Sequence, residues 1–359
     1  VRAIMGLGEG VAFPTMQAII KGWVPADKRS RSLGAIYSGH QIGSILSLLM
    51  SPLLLERGGV DVLFVVYGTA GFVWLALWHP LVSPTPPLSL YPKASLSGPD
   101  LESKTSLGGV SPHHHASAGL HHLSHNSGAA GPGSGGPGGA LASTAHGPLR
   151  LRDVPLAAFA RSRPVWGIAV AHATFGLTYN IIIAWLPTYY AEVFGLDVRA
   201  SSFLSVLPWA AMALGTNVSG WAADAAVNRR LLSPTLTRKA LQVVGCAGPG
   251  VCLLYLGAAP QRGFLGEAVG ALTLALGMLG MQAGGFASNH QDIATRFAPV
   301  LFGITNAGAS LAGSAGVYAV GRILDTTGSW SLVLLLVAAA NFVSAAAYVS
   351  VATSEPLFE

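Results

Sequence analysis

The sequence predicts an all-α membrane protein, and three observations support this class. Hydrophobic residues make up 51% of the 359 residues and only 10% are charged, too few to cover the surface of a water-soluble protein of this size. Apolar runs long enough to cross a hydrocarbon core of about 30 Å recur along the chain. Lys and Arg are concentrated in alternate connections between these runs, as the positive-inside rule requires.

Nine apolar runs are expected to form transmembrane helices. In chain order they cover residues 2–23, 33–55, 61–79, 166–190, 203–226, 240–258, 265–286, 300–321 and 332–352. The first run stops before Pro25, which disfavours a helical residue ahead of it, and a basic connection follows. Many of the 45 glycines fall inside these runs, where small residues let helices approach closely.

A long polar segment separates the third run from the fourth. We divide the chain into residues 1–82 with three spans, a linker over 83–164, residues 165–353 with six spans, and a tail over 354–359. The linker is rich in Gly, Ser, Pro and His, a composition that cannot bury a core, so we expect it to be disordered. Its histidines suit a biased flexible tract better than a metal site. Near its end, VPLAAFARSRP is compatible with an interfacial helix.

Charge gives the orientation. Fourteen Lys and Arg fall in the connections and the linker on one side of the predicted membrane, which we call the basic side, and four fall on the other. This asymmetry places the linker and the tail on the cytoplasmic side or its organellar equivalent. Transporters built from two six-helix halves have six spans before the central loop. We therefore expect the chain to be a fragment that lacks three helices.

The first span carries two opposite charges, Arg2 and Glu9. They lie seven residues apart, about two helical turns, so they share one face at a separation of roughly 10 Å. Arg2 is a fixed cation that can hold an anion through charge-assisted hydrogen bonds. Glu9 can take up a proton in a cavity and so couple a cation to transport. The alternatives are an Arg2 that reaches the interface and a Glu9 in a structural ion pair.

Two charged motifs face the basic side. In GWAADAAVNRR, Asp224 can cap a neighbouring helix or pair with a base in one conformation, so Asp224, Arg229 and Arg230 are candidates for a gate. An ordinary charged interface is the alternative. In SNHQDIATR, His290 can relay or sense protons, and Asp292 is a further gate candidate. A loop with capping roles fits this motif slightly better.

Polar residues inside the apolar spans indicate a cavity, because they need partners within the membrane. The candidates for its lining are Tyr179, Asn180, His40 and Asn306, and hydrogen bonds between helices are the alternative. Pro187 is expected to break the fourth span locally. No nucleophile–base pair and no metal-ligand spacing stands out, so we predict a protein that is not an enzyme and has no cofactor or metal.

Several motifs together resemble the anion:cation symporter branch of the major facilitator superfamily. They are VRAIMGLGEGVAFP, WVPADKRSRSL, WLPTYYAEVFG, SPTLTRK, SNHQDIATRFAPVLFGITNAGASLAG and DTTGSW. The sequences of these motifs are most similar to those of plant and algal plastid anion transporters. The resemblance implies a major facilitator fold with nine of its twelve helices present. It also implies an anion-binding role for Arg2 and a proton-coupling role for Glu9. A tyrosine used by vesicular members falls on Asn180, beside Tyr179.

The sequence thus predicts a secondary active transporter of anions, with inorganic phosphate as substrate and a proton or sodium as the co-transported ion. Ascorbate or another organic anion is the alternative substrate. A non-transporting membrane scaffold or receptor on the same fold is the alternative class. The expected partners are a small anion and the lipid bilayer, with no nucleic acid, and the protein is expected to be a monomer. By resemblance its membrane is a plastid envelope or thylakoid membrane.

Overall fold

The computed structural model describes residues 10–81, 151–258 and 264–358. Arg2, Glu9 and most of the predicted linker lie outside these ranges. The described residues form helices and their connections, with no strand among them. All of the helices given below pack together in one unit.

In the described part of the chain, two helices precede the linker. Helix α1 is Ala12–Trp23, a 3₁₀ turn follows at Ala26–Lys28, and α2 is Arg29–Leu81. Helix α2 contains the second and third predicted spans, joined where Gly58 and Gly59 leave helical geometry. Gly59 has φ +67°, a left-handed conformation that glycine adopts without a steric cost. The chain therefore reverses between two spans with almost no loop.

The remaining helices follow the linker. They are α3 Leu156–Arg161, α4 Arg163–Phe194, α5 Val198–Leu204, α6 Val206–Asn228, α7 Pro234–Ala258, α8 Leu265–Leu279, a 3₁₀ turn Gly280–Ala283, α9 Phe286–Ile293, α10 Ala298–Thr327 and α11 Trp330–Val351. The short helix α3 forms where the sequence suggested one.

The helices have the lengths that a membrane requires. Six helical segments of the described chain, the shortest with 22 residues, are long and apolar enough to cross a bilayer. In each of the nine apolar runs, most of the described residues are helical. Their outward faces carry large apolar side chains, such as Phe72 and Leu311, which are 76% and 74% exposed. The all-α membrane class predicted from composition is confirmed.

Two predicted details are wrong. Pro187 was expected to interrupt its span, but α4 runs through it without a break, because membrane helices tolerate proline when neighbouring groups satisfy the freed carbonyl. The run 265–286 was expected to be one helix, but it consists of α8, a 3₁₀ turn and the start of α9. Gly284 and Gly285 separate the turn from α9, and partners from other helices bind the backbone groups there.

The buried side chains of the described residues form two clusters, one toward each side of the membrane. The cluster away from the basic side joins α4, α6, α8 and α11 around Tyr190, Trp209, Leu276 and Trp330. The cluster on the basic side joins α3, α4, α9 and α10 around Phe159, Ile168, Ile293 and Leu301. Polar residues occupy the depth between the two clusters, and the candidate site lies there.

The end of the chain closes over the basic-side cluster. The backbone amides of Leu357 and Phe358 donate to the carbonyl oxygen of Ile293, at 2.8 and 3.0 Å. The Phe358 ring packs edge-on against Phe159 at 4.8 Å. These contacts satisfy a carbonyl at the end of α9, which has no partner within its own helix.

Candidate functional site

A cavity of about 560 Å³ lies between the helices before the linker and the helices after it. Helices α1 and α2 form one wall, and α4, α6, α9 and α10 form the other. The lining consists of Gly10, Phe13, Tyr37, His40, Gln41, His172, Phe175, Gly176, Tyr179, Asn180, Met212, Thr216, Gly280, Ala283, Phe286, Ala287, Phe302, Asn306, Ala309, Ser310 and Ser314. Its volume lies within the ~300–1,000 Å³ of small-molecule sites.

The structure brings together four of the residues predicted to bind substrate. His40, Tyr179, Asn180 and Asn306 all line the cavity, although they come from three helices. The His40 and Tyr179 rings stack at 5.7 Å, and Trp209 meets Tyr179 edge-on at 5.1 Å. The fifth, Arg2, lies outside the described residues, and so does Glu9. Their roles therefore stay predictions.

The described lining combines uncharged polar groups with a larger share of apolar and aromatic surface, and it carries no fixed charge. Among these residues none is Lys, Arg, Asp or Glu. Hydroxyl and amide groups from Tyr37, Gln41, Asn306, Ser310 and Ser314 alternate with aromatic rings. Such a surface offers hydrogen-bond donors to an oxyanion without neutralising its charge. Among the described lining residues, only a protonated histidine could supply a positive charge.

One glycine-based contact shapes this wall. The Asn180 amide donates to the carbonyl oxygen of Gly176 at 2.8 Å. At Gly176, α4 approaches α10 so closely that a Cβ would lie 2.5 Å from the carbonyl oxygen of Ala309. Asn180 is thereby held at the surface of the cavity by the crossing of two helices.

The motif containing His290 is a buried helix and not a loop. Asn289, His290 and Gln291 lie in α9, and their exposures are 0%, 0% and 6%. The slightly favoured interpretation as a capping loop is therefore wrong. From α9, His290 Nε2 lies 2.8 Å from the hydroxyl of Thr305 on α10. That hydroxyl lies 3.0 Å from Nδ1 of His172 on α4.

Polar side chains from other helices stabilise the break before α9. The Gly284 amide donates to the Ser219 hydroxyl at 2.9 Å, and the Phe286 amide donates to Gln242 Oε1 at 3.0 Å. Non-helical backbone at membrane depth is stable when protein groups satisfy it. The break also exposes the carbonyl oxygen of Gly284, which binds Arg238.

On the basic side, Asp224 joins α6 to the start of α2. Its carboxylate accepts the backbone amides of Ser30 at 3.2 Å and Arg31 at 3.0 Å. The Arg31 guanidinium lies 3.5 Å from the same carboxylate and over the Trp221 ring at 5.1 Å. An acidic group at a helix N-terminus satisfies free amides and stabilises the helix dipole. The structure thus contains the helix cap that the sequence suggested for Asp224.

Arg238 is a further functional candidate. From the sequence it was only one of the Lys and Arg residues on the basic side. It is buried and donates to both carboxylate oxygens of Asp292, at 2.8 and 3.3 Å. It also donates to the Ser30 hydroxyl at 3.1 Å and to the carbonyl oxygen of Gly284 at 3.0 Å. Its place in SPTLTRK, a motif of the resemblance, was the available signal.

Two of the predicted gate residues do not take part in this arrangement. Arg229 and Arg230 lie exposed at the end of α6, and neither forms an ion pair among the described residues. The cations that do pair with the predicted carboxylates are Arg31 and Arg238. The reason is geometric, because Arg229 and Arg230 follow Asp224 beyond the end of the packed interface.

A second polar pair, also missed from the sequence, joins α1 to α9. The Gln291 amide donates to Gln17 Oε1 at 2.7 Å, and both side chains are buried. The Asn228 amide, at the end of α6, donates to the carbonyl oxygen of Asp27 at 2.8 Å and so adds another contact between the helices before and after the linker. We use the name basic-side latch for Ser30, Arg31, Asp224 and Arg238 together with the Gln17–Gln291 pair. The latch joins the helices before the linker to those after it on the basic side.

The described residues show no group of three or more His, Cys, Asp and Glu side chains that could hold a metal ion. Cys246 and Cys252 are both free and buried. The arrangement is therefore a cavity with some polar lining between two sets of helices, which a few polar contacts join on the basic side. Chemically it can bind and release a solute.

Known proteins are similar in sequence to this chain over almost its whole length. It is 34% identical over 358 residues to "Probable anion transporter 4, chloroplastic" of Oryza sativa subsp. japonica, covering all of this chain and 53% of that protein. It is 32% identical over 362 residues to "Ascorbate transporter, chloroplastic" of Arabidopsis thaliana, covering 100% and 58%. It is 33% identical over 333 residues to the Arabidopsis "Sodium-dependent phosphate transport protein 1, chloroplastic", covering 92% and 56%.

The chain spans somewhat more than half the length of these relatives. Their names agree with the anion-transporter branch that the motifs indicated. Residues 1–317 match the description "Major Facilitator Superfamily", which accounts for the helical membrane fold and for the central cavity between two sets of helices. The chain therefore belongs to the Major Facilitator Superfamily.

Proposed function

We propose that this protein is a secondary active transporter of small anions, with inorganic phosphate as the main substrate, working by alternating access in a plastid membrane. The observation that carries the proposal is the cavity between two sets of helices, lined in part by polar groups, with the latch joining the two sets on the basic side. In alternating access, one set of helices rocks against the other around a fixed site. A site closed by few polar contacts on one side suits such a movement.

The chemistry of the cavity supports an oxygen-rich anion. Asn306, Ser310 and Ser314 lie on one face of α10 and offer amide and hydroxyl donors, and His40 faces them from α2. Arg2, predicted on the first span, would supply the fixed cation and bind two oxygens at once. Glu9 would couple entry of a proton or sodium to movement of the anion.

The names of two relatives suggest two candidate substrates for this chain. One is named for sodium-dependent phosphate transport and another for ascorbate transport. The cavity volume of about 560 Å³ leaves room for an organic anion as well as for phosphate, so ascorbate is the second candidate. Competition separates them, because the true substrate should inhibit uptake of the other at the lower concentration.

We infer from the latch that the described conformation is the state of the transport cycle closed toward the basic side. With Asp224 bound to the start of α2 and Arg238 bound to Ser30, the cavity is closed toward the basic side. Opening on that side requires these contacts to break. Hydrogen bonds to charged groups contribute about 1.5–3 kcal/mol each, so a few of them are sufficient to hold one state while still permitting exchange.

The proposal is tested at Arg2. In proteoliposomes, Arg2→Ala should lower uptake of radiolabelled phosphate at least about ten-fold, because it removes charge-assisted hydrogen bonds to the anion. Arg2→Lys should lose less, since it keeps the charge but not the paired geometry.

Arg322→Ala is the matched control, because Arg322 is exposed at the other side of the membrane. Uptake by Arg2→Ala that equals the control would contradict the role of Arg2 in binding the anion.

A further inference from the structure

A histidine pair leads from the cavity into the packed helices. The His172 ring lines the cavity and is 4% exposed, whereas His290 is completely buried. The Thr305 hydroxyl lies between them, 3.0 Å from His172 Nδ1 and 2.8 Å from His290 Nε2. On the far side, His290 Nδ1 lies 2.9 Å from the carbonyl oxygen of Phe286. These side chains form a continuous hydrogen-bonded path.

The carbonyl at the end of this path determines where each hydrogen lies. A carbonyl oxygen only accepts, so His290 Nδ1 carries a hydrogen and donates it to Phe286. A neutral imidazole has one N–H, so His290 Nε2 is an acceptor. The Thr305 hydroxyl has one hydrogen and two acceptors within reach, the carbonyl oxygen of Phe302 at 3.1 Å and His290 Nε2 at 2.8 Å, and in the wire it is donated over the shorter contact, to His290. The Thr305 oxygen then accepts the Nδ1–H of His172. Nε2 of His172 is left as a hydrogen-bond acceptor at the end of the path that meets the cavity.

We propose that His172, Thr305 and His290 form a proton wire, through which a proton taken from the cavity comes to reside on His290. The proposal rests on the proposed transport function and identifies the co-transported ion as a proton. A proton binds His172 Nε2, the Nδ1 proton of His172 passes to the Thr305 oxygen, and the Thr305 proton passes to His290 Nε2. His172 ends neutral with its proton on Nε2, Thr305 ends as a hydroxyl, and His290 ends as an imidazolium.

The imidazolium form of His290 needs a negative charge nearby, and the cavity has room for one. A buried cation is stable only beside an opposite charge or strong hydrogen bonds, and no carboxylate occurs in the described lining. The rings of Phe302 and Phe286 lie 5.0 and 5.9 Å from the His290 ring and add a modest cation–π attraction. An anion bound in the cavity supplies the missing charge.

The other titratable groups around the pair do not supply that charge. From α2 come His40 and Tyr37, and from α4 comes Tyr179, all of which line the cavity. From α11 comes Tyr348, whose hydroxyl accepts from the Asn289 amide at 2.8 Å. On α7 and α9, Arg238 and Asp292 neutralise each other. Helices α1, α6 and α10 present no titratable side chain in the described lining.

Binding of proton and anion must therefore be linked. If an anion in the cavity favours the imidazolium, then by reciprocity the imidazolium favours the anion by the same factor. Because each ion stabilises the other, proton binding and anion binding are coupled. This is the thermodynamic requirement for symport.

The first experiment measures the histidines directly and needs no transport. The chain is labelled with ¹⁵N-histidine in lipid nanodiscs, and His290→Gln and His172→Gln identify the two signals. In the neutral form both rings should have the hydrogen on Nδ1, the tautomer that free histidine disfavours. Inorganic phosphate should raise the proton affinity of the pair by about ten-fold, within the usual range of coupling between two sites.

The second experiment separates proton coupling from anion passage. In proteoliposomes, Thr305→Val should abolish the stimulation of phosphate uptake by a pH gradient, because the methyl group cannot pass a proton. It should preserve exchange of internal for external phosphate, which needs no net proton movement. Thr305→Ser is the matched control and should keep both, since its hydroxyl completes the wire.

The outcomes separate the wire from the transport function. Stimulation by the gradient that survives in Thr305→Val and His172→Gln overturns the wire, and so does a neutral His290 protonated on Nε2. If the unmodified protein moves no phosphate, the proposed function fails, and the tautomers and their response to phosphate still decide the proton path. If Thr305→Val does not fold, Thr305→Ser and His172→Gln provide the same comparison.

Discussion

At the scale of single residues, the described interior balances each buried charge with a partner. Arg238 is the clearest case, because its side chain is 9% exposed and its guanidinium binds both oxygens of Asp292. The pair also fixes the local backbone through Ser30 and Gly284. Pairs of this kind add little net stability, but removing one partner leaves the other charge buried and unpaired.

Arg238→Met should therefore destabilise the protein more than a surface change does. We expect the free energy of unfolding to fall by about 3–5 kcal/mol, because Asp292 loses its counter-ion. The double variant Arg238→Met/Asp292→Asn should recover part of the loss. Thermal unfolding of the purified protein in detergent measures both effects.

Arg229→Met is the control, since Arg229 is exposed at the end of α6. Equal unfolding temperatures for Arg238→Met and Arg229→Met would show that the buried pair is unimportant for stability.

At the scale of helices, the latch depends on the close crossing of α2 with α6. Small residues on both helices permit this crossing. A Cβ added at Gly34 would lie 2.7 Å from the carbonyl oxygen of Thr216, and one added at Gly220 would lie 2.8 Å from Cα of Arg31. Glycine at such positions lets the backbones approach closely, as in other membrane helix pairs. Only at this separation can Asp224 reach the amides of Ser30 and Arg31.

Gly220→Val should shift the protein toward the state that is open on the basic side. The valine separates α2 from α6, and the Asp224 hydrogen bonds, at about 1.5–3 kcal/mol each, are lost. A cysteine placed at Ser310 in the cavity should then react about ten-fold faster with an impermeant thiol reagent added from the basic side.

Gly39→Val serves as the matched control on α2, because a Cβ there meets nothing within 4 Å. A reaction rate in Gly220→Val no higher than in this control would refute the role of the crossing as a gate.

At the scale of the whole molecule, the two sets of helices meet around the cavity and the chain between them is compositionally biased. Residues 10–81 supply one wall of the cavity and residues 163–327 the other. The sequence over 83–150 is rich in Gly, Ser, Pro and His, which predicts a connection without a core of its own. In a transporter such a segment joins the two sets of helices, and in a scaffold it would recruit partners.

Deleting residues 96–145 distinguishes these two functions. The remaining connection can still extend about 60 Å, so the helices should pack as before. A transporter should keep most of its phosphate uptake in proteoliposomes, whereas a scaffold should lose the proteins that co-purify with it. A variant with the same residues in scrambled order controls for composition. Loss of uptake with the deletion, but not with the scrambled linker, would contradict the predicted role as a passive connection.

Local patterns were sufficient for the helices, the charge asymmetry and part of the cavity. Apolar runs and basic connections are properties of neighbouring residues, so the nine runs and the basic side could be identified without a structure. His40, Tyr179, Asn180 and Asn306 could be predicted as cavity residues for a simple physical reason. A polar side chain inside an apolar span needs polar surroundings, and a cavity provides them.

The sequence by itself therefore determined the membrane class, the order of the spans and the residue types available for binding an anion. Only the tertiary structure decided which of them meet. Thr305 bridges two histidines that are 118 residues apart in the sequence, Arg238 pairs with Asp292 and not with Asp224, and α9 is a buried helix where a loop was favoured. These contacts depend on which helices pack side by side, and packing is set by distant small residues and buried polar groups that leave no local periodic signal.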